Sequence, residues 1–149
     1  MNKPIAIIAG EPNSISSEII FKSWKLRRQF IHKPLFVIGS IQQLNIQKKK
    51  LNYQIKLKEI DNNFKISDLK TDELPIYDVE YKQKKPFEKI SKKSNKYIFD
   101  CFNKAIKLTK SKKILGFINC PVSKDSLFQK KHQGITEFLA KKSGYSGNE

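Results

Sequence analysis

The chain has 149 residues, enough to bury a core in one domain or one lobe of a larger one. Hydrophobic residues make up 38%, and no apolar run reaches the ~20 residues of a membrane span, so the composition is that of a soluble protein. The net charge of +16 raises nucleic-acid binding, but only Arg27 and Arg28 among the 30 basic residues are arginine. Sites that grip phosphate or guanine edges use arginine's bidentate fork, and here the lysines are dispersed through every segment, so no specific nucleic-acid recognition is expected.

Taken in chain order, Ile5 to Ala9 is a short apolar run ending at Gly10, the form of a strand covered on both faces. The break at Gly10-Glu11, with no small-residue cleavage site after it, argues against a signal peptide. Asn13-Ser14 can cap a helix carrying Ile15, Ile19, Ile20 and Trp24 up to Phe30. Leu35 to Gly39 repeats the buried-strand pattern, and Ser40 can cap a helix with Ile41 and Leu44. Tyr53, Ile55 and Leu57 alternate with polar residues, as in a half-exposed third strand.

Residues 59 to 87 are polar and hold Pro75 and Pro86; one or two irregular strands are expected there, around Phe64-Lys65-Ile66 and Pro75 to Val79. From Glu88, the residues Ile90, Ser94, Tyr97, Ile98, Cys101, Phe102, Ala105 and Ile106 recur at helical intervals. Ile114 to Ile118 reads as a further buried strand, and Asn119-Cys120-Pro121 turns the chain into a helix near Ser123 to Phe128, since proline stops a strand and suits a helix's first turn. Gln133-Gly134 breaks that helix, another turn or two covers Thr136 to Lys142, and a polar tail follows Gly144. Alternating strands and helices predict an α/β fold with a mostly parallel sheet and flanking helices. In such sheets ligands bind outside the carboxyl ends of the strands, which makes the loops at Gly10 to Ser14 and Asn119 to Lys124 the candidate walls of a site.

Together, AGEPNSISSE at 9 to 18, KYIFDCFNKAI at 96 to 106, FINCPVSKDSL at 117 to 127 and GITEFLAKKSG at 134 to 144 resemble the N-terminal half of the 4-hydroxythreonine-4-phosphate dehydrogenases of pyridoxal phosphate biosynthesis. The resemblance implies one half of the isocitrate and isopropylmalate dehydrogenase-like fold, residues 1–149 forming a single α/β unit at the N-terminal end of a longer two-domain enzyme. It also implies oxidation and decarboxylation of 4-phosphohydroxy-L-threonine with NAD and a divalent metal ion, in a cytoplasmic homodimer. The family's metal histidines and its groups for the substrate's phosphate and carboxylate fall outside residues 1–149, so no metal or cofactor site is expected here, and the chain alone is expected to be inactive.

The departures from the family pattern are local. Where the family's first loop reads Gly-Glu-Pro-x-Gly-Ile-Gly-Pro-Glu, this chain keeps Gly10, Glu11, Pro12, Ile15 and Glu18 but has Ser14, Ser16 and Ser17 for two glycines and a proline. If those glycines adopt positive φ, each serine costs about 1 kcal/mol. Where the family reads Gly-His-Thr-Glu, Ile135 takes the histidine's place between Gly134 and Thr136, and an aliphatic side chain cannot donate to a substrate oxygen.

Substrate-binding candidates are therefore Thr136, the Ile135 position and Lys124; the catalytic residues are unknown. Thr136 either contacts substrate or caps the helix after it, and Lys124 either meets a phosphate as a point charge or is solvated. Glu11 is either a partner of the first helix's dipole or a chemical group. Cys120 is a reactive thiol if the next helix lowers its pKa, and otherwise a small buried residue. His32 and His132 have no second ligand at metal spacing. The two cysteines, Cys101 and Cys120, have neither a zinc nor a redox spacing and fit a reducing compartment without a disulfide. A competing reading is a noncatalytic binding or assembly module with a basic surface.

Overall fold

The strands Ile5–Ile8 (β1), Leu35–Gly39 (β2), Leu57–Ile60 (β3), Leu74–Asp78 (β4) and Gly116–Asn119 (β5) form one sheet in the order β3-β4-β2-β1-β5, with every pairing parallel. The helices are Ser16–Phe30 (α1), Ile41–Lys50 (α2), Ile66–Leu69 (α3), Asn95–Lys110 (α4), Lys124–Phe128 (α5) and Ile135–Ser143 (α6). These come from a computed structural model that describes residues 3–30, 33–128 and 134–144. Among the described residues no helix is long and apolar enough to cross a membrane.

The continuous apolar run of β2 has a direct cause. Phe36 and Ile38 face a cluster built with Tyr97, Cys101 and Phe102 of α4, while Leu35 and Val37 face Ile20, Phe21 and Trp24 of α1 and Leu44 of α2. Both faces of the strand are thus removed from water, the situation that alternating polar residues could not satisfy. Gly39 closes the strand where space runs out: a Cβ there would lie 2.7 Å from the Ala9 Cβ and 3.1 Å from the Tyr97 hydroxyl. That hydroxyl accepts the buried Ser40 N–H at 3.1 Å, and the Ser40 Oγ accepts the Gln43 N–H at 3.2 Å, so the expected cap of α2 is present.

Several elements differ from the sequence reading. Ile15 and Ile19 are 62% and 38% exposed, and the core face of α1 is instead Ile20, Phe21 and Trp24. The third strand begins at Leu57 rather than Tyr53. Phe64-Lys65-Ile66 is no strand: the Asp61 carboxylate accepts the Asn63 N–H at 2.7 Å and the Asp68 carboxylate accepts the Lys65 N–H at 2.7 Å, and these local bonds turn the chain into α3. Pro75 sits inside β4, one residue before pairing with β2 begins at Ile76, a position where its missing N–H does no harm. The long helix starts at Asn95 rather than Glu88, after a 3-10 turn at Lys92–Ser94, and Ile90 is left exposed. β5 is the edge of the described sheet, with Ile118 61% exposed, so it is not covered on both faces as its composition suggests. The Gln133 break and the tail after Gly144 lie outside the described residues.

Both cysteines are free and buried. Burial raises the Cys101 thiol far above its ordinary pKa and pushes the Cys120 thiol up to about 11, and no helix begins within reach to reverse this, since α5 starts only at Lys124. The reactive-thiol reading of Cys120 is therefore corrected. A raised pKa keeps the thiol neutral below that value, so neither cysteine should react with a disulfide reagent at pH 8 in the folded chain, and both should react on unfolding, where thiols titrate near 8.5. Fast modification of the native chain at pH 8 would contradict the burial.

Candidate functional site

The chain leaves β1 toward β2 on one side, while β5 arrives on the other side of β1 after the α4 crossover. Chain order reverses at the β1–β5 pair, which makes the carboxyl ends of these two strands the topological switch point of the sheet. The walls expected from sequence, Gly10 to Ser14 and Asn119 to Lys124, are the segments that leave these strands, the second running from the last residue of β5 to the first of α5.

These loops are in backbone contact. Gly10 has φ +72°, and a Cβ on it would stand 2.5 Å from the Pro121 carbonyl oxygen and 2.8 Å from that of Cys120. Glycine meets both demands, the left-handed backbone and the close approach. The Glu11 N–H then donates to the Pro121 carbonyl at 2.9 Å, and the Cys120 N–H donates to the Ile8 carbonyl at 2.9 Å. Glu11 is 1% exposed. Its carboxylate accepts the Asn13 N–H at 3.0 Å and the Ser94 hydroxyl, just ahead of α4, at 2.8 Å. The Glu11 charge also helps raise the Tyr81 pKa, second to burial of that phenol.

Each serine of the first loop has a definite setting. Neither Ser14 nor Ser16 has positive φ, so the strain that glycine replacement would bring is absent. Ser14 Oγ donates to the Glu11 carbonyl at 2.9 Å, lies 2.8 Å from Ser16 Oγ, and accepts the Ser16 N–H at 3.2 Å. Ser16 Oγ reaches the Pro121 carbonyl at 3.3 Å, adding a second stitch between the walls. Ser17 Oγ, where the family pattern has proline, is buried without a hydrogen-bond partner. Over the outside of this loop, Gln83 and the Glu88 N–H both donate to Asn13 Oδ1 at 2.8 Å.

On the far side of β5 a cavity of about 590 Å³ is lined by Ile106, Phe117, Asn119, Ile135, Thr136 and Leu139, among others. Asn119 and Thr136 are exposed, and Ile135 is partly buried against the α4 cluster. Thr136 is the second residue of α6; the cap position belongs to Gly134 and has no side-chain bond, so the capping role for Thr136 is overturned. Lys124 does not line this cavity. Its Nζ lies 3.8 Å from where a Cβ on Gly134 would sit, so it flanks the start of the same motif.

Thus Ile135, Thr136 and Asn119 come together and Lys124 stands beside them. Glu11 lies at the switch point rather than among the cavity's lining residues. Asn119, the first residue of the second expected wall, lines the cavity, whereas sequence reasoning missed Ser94 as the partner of Glu11, 83 residues away, since no local pattern announces such a pair. Among the described residues no three His, Cys, Asp or Glu side chains converge to hold a metal; His32 and His132 lie outside them.

If the Glu11 carboxylate fastens the two walls to α4, Glu11→Gln is expected to cost about 1–3 kcal/mol, because an amide offers one oxygen to the two donors that the carboxylate satisfies. A lower urea midpoint checks this; an unchanged midpoint would show that Asn13 and Ser94 need no anion.

Residues 31–148 match the family described as Pyridoxal phosphate biosynthetic protein PdxA. A 4-hydroxythreonine-4-phosphate dehydrogenase of Zymomonas mobilis is 28% identical over 149 residues, covering 99% of this chain and 43% of the relative. One from Caulobacter vibrioides is 28% identical over 93% of this chain and 41% of its own length. Crystal structures of 4-hydroxythreonine-4-phosphate dehydrogenases from Burkholderia phymatum and Klebsiella pneumoniae superpose with TM-scores of 0.85 and 0.74 at 20% and 23% identity, over 99% and 95% of this chain and 45% and 44% of theirs. The chain spans less than half the length of the curated relatives it matches. With most of its length matched, the chain belongs to the Pyridoxal phosphate biosynthetic protein PdxA family.

Proposed function

We propose that the chain is the N-terminal portion of a two-domain, NAD-dependent 4-hydroxythreonine-4-phosphate dehydrogenase acting in the cytoplasm as a homodimer. The observation that carries this reading is the cavity at the carboxyl end of β5, where the Thr136 hydroxyl and the Asn119 amide sit together against an apolar wall. Together with Thr109, Ser143 and the cation Lys110, these groups set a few polar points on a mostly apolar wall, which suits a small polar substrate held in one orientation. The edge position of β5 and the exposed Leu115 and Ile118 suit further structure from the rest of such an enzyme.

In this reading Thr136 donates to an oxygen of 4-phosphohydroxy-L-threonine, Ile135 supplies an apolar contact where the family pattern has histidine, and Lys124 approaches the phosphate as a point charge. A bound NAD would supply the hydride acceptor for the carbinol carbon, and none of the described residues is assigned to hold it. The described residues do not form a ligand set for a divalent metal, so the decarboxylation is not assigned to them. Glu11 keeps the loops at the switch point fixed beside the end of β5, whose Asn119 lines the cavity, so that this part of the substrate wall is already in place.

Residues 1–149 alone are expected to produce no NADH from this substrate, NAD and a divalent metal. In a full-length counterpart Thr136→Val keeps the shape and removes the hydroxyl, and should weaken substrate binding by about 1 kcal/mol or more. Ile135→His should leave turnover unchanged or raise it. Should Thr136→Val leave both KM and kcat untouched, the substrate assignment is wrong; a full-length counterpart inactive under every condition would favour the noncatalytic binding module with a basic surface.

A further inference from the structure

Both arginines of the chain lie at one place, at the opposite end of the sheet from the loops of the switch point. Arg27 and Arg28, in the last turn of α1, close on Asp72 in the connection between α3 and β4. Arg27 Nη2 stands 3.2 Å from Asp72 Oδ1, and Arg28 bonds the same oxygen. The Arg27 guanidinium also lies over the Trp24 ring, 3.9 Å from its centre, and donates to the Trp24 carbonyl at 2.8 Å. Trp24 in turn donates from Nε1 to the Asp72 carbonyl at 3.4 Å.

Beside this cluster is a cavity of about 520 Å³ whose charged lining is Arg27, Arg28, Lys33, Lys70 and Asp72. Lys33 and Lys70 form no ion pair among the described residues. One carboxylate cancels one of four cations, and the carbonyl end of α1 offsets about half a charge more. On the order of two positive charges are left without a partner in a concave site. Burial, then repulsion from Arg28, lowers the Arg27 pKa against the pull of Asp72, as expected of crowded cations. Helix-end neutralisation explains why a basic residue ends α1; it does not explain why Lys33 and Lys70 are added to the same hollow.

We propose that this cavity binds a small polyphosphate anion, a diphosphate or triphosphate, either free or as the tail of a nucleotide. Arg28, Lys33 and Lys70 meet the phosphate oxygens, and Arg27 is a positioning residue held by Trp24 and Asp72. Arginine's planar fork matches phosphate geometry, and the volume is that of a small-molecule site. The chemistry favours the phosphates over a base, because the Trp24 face is covered by Arg27 and only 5% of the residue is exposed, leaving no platform for stacking. The inference is independent of the proposed dehydrogenase site, which lies on other elements.

Trp24 is the sole tryptophan, so its fluorescence reports on this cavity directly. The chain is titrated with tripolyphosphate and with ATP, without divalent ions and at fixed ionic strength. A saturable change is expected, with comparable affinity for both anions. Arg28→Ala with Lys70→Ala, both at exposed positions, should weaken it about tenfold or more, the loss expected on removing charge-assisted bonds. Asp72→Asn should tighten it by freeing the guanidinium pair. Lys48→Gln with Lys49→Gln and Lys50→Gln, on α2 and outside the cavity lining, should change nothing. The proposal is overturned by a change that never saturates, by an equal loss in the α2 variant, which would mean dispersed charge, or by ATP binding far more tightly than tripolyphosphate, which would mean a nucleoside pocket elsewhere.

Discussion

The structure depends on the close approach of two backbones at the switch point. Gly10 lies where a methyl group would touch the carbonyl oxygens of Cys120 and Pro121, and the next residue donates its N–H to Pro121. That contact ties a loop from the first strand to a loop from the last, more than a hundred residues later. It works only because the strands beneath are already in register, Ile8 beside Asn119, with the Cys120 N–H continuing the ladder to the Ile8 carbonyl. The price of the geometry is a left-handed residue at Gly10, which only a glycine meets without strain.

Glu11 extends that contact into the helical layer. Its buried carboxylate accepts from Asn13 on one side and Ser94 on the other, and so joins the start of α1 to the start of α4. A buried carboxylate without such donors would be costly, and with them it sets the spacing of two helices that lie on opposite faces of the sheet. The serines that replace the family's glycines contribute to the same lacing. The backbone they adopt is one that any residue tolerates, and their hydroxyls take up the Glu11 and Pro121 carbonyls.

What the sequence revealed follows from how local each signal is. β1 and β2 were legible as short apolar runs, the α2 cap as Ser40, and the parallel α/β class as strict alternation of elements. β5 was misjudged because a run such as Leu-Gly-Phe-Ile looks the same in the middle of a sheet as at its edge; its neighbours decide, and they are set by topology. The segment from Asp61 to Leu69 was misread because carboxylates at Asp61 and Asp68 redirect the backbone against its apolar content. At the candidate site, the two motif loops were readable as strand-ending glycine and proline signals. The Glu11–Ser94 bond was not, since nothing in either segment specifies a partner so far along the chain.

The claim that the loops at the switch point form one fixed wall is tested most directly by amide hydrogen exchange at Glu11 and Cys120. Both amides donate across the β1–β5 junction, to Pro121 and Ile8. The account expects both to exchange with protection close to that of the central β2 amides, and expects Glu11 to lose protection in Gly10→Ala while β2 keeps it. Exchange of Glu11 at the rate of an open loop in the unaltered chain would contradict it.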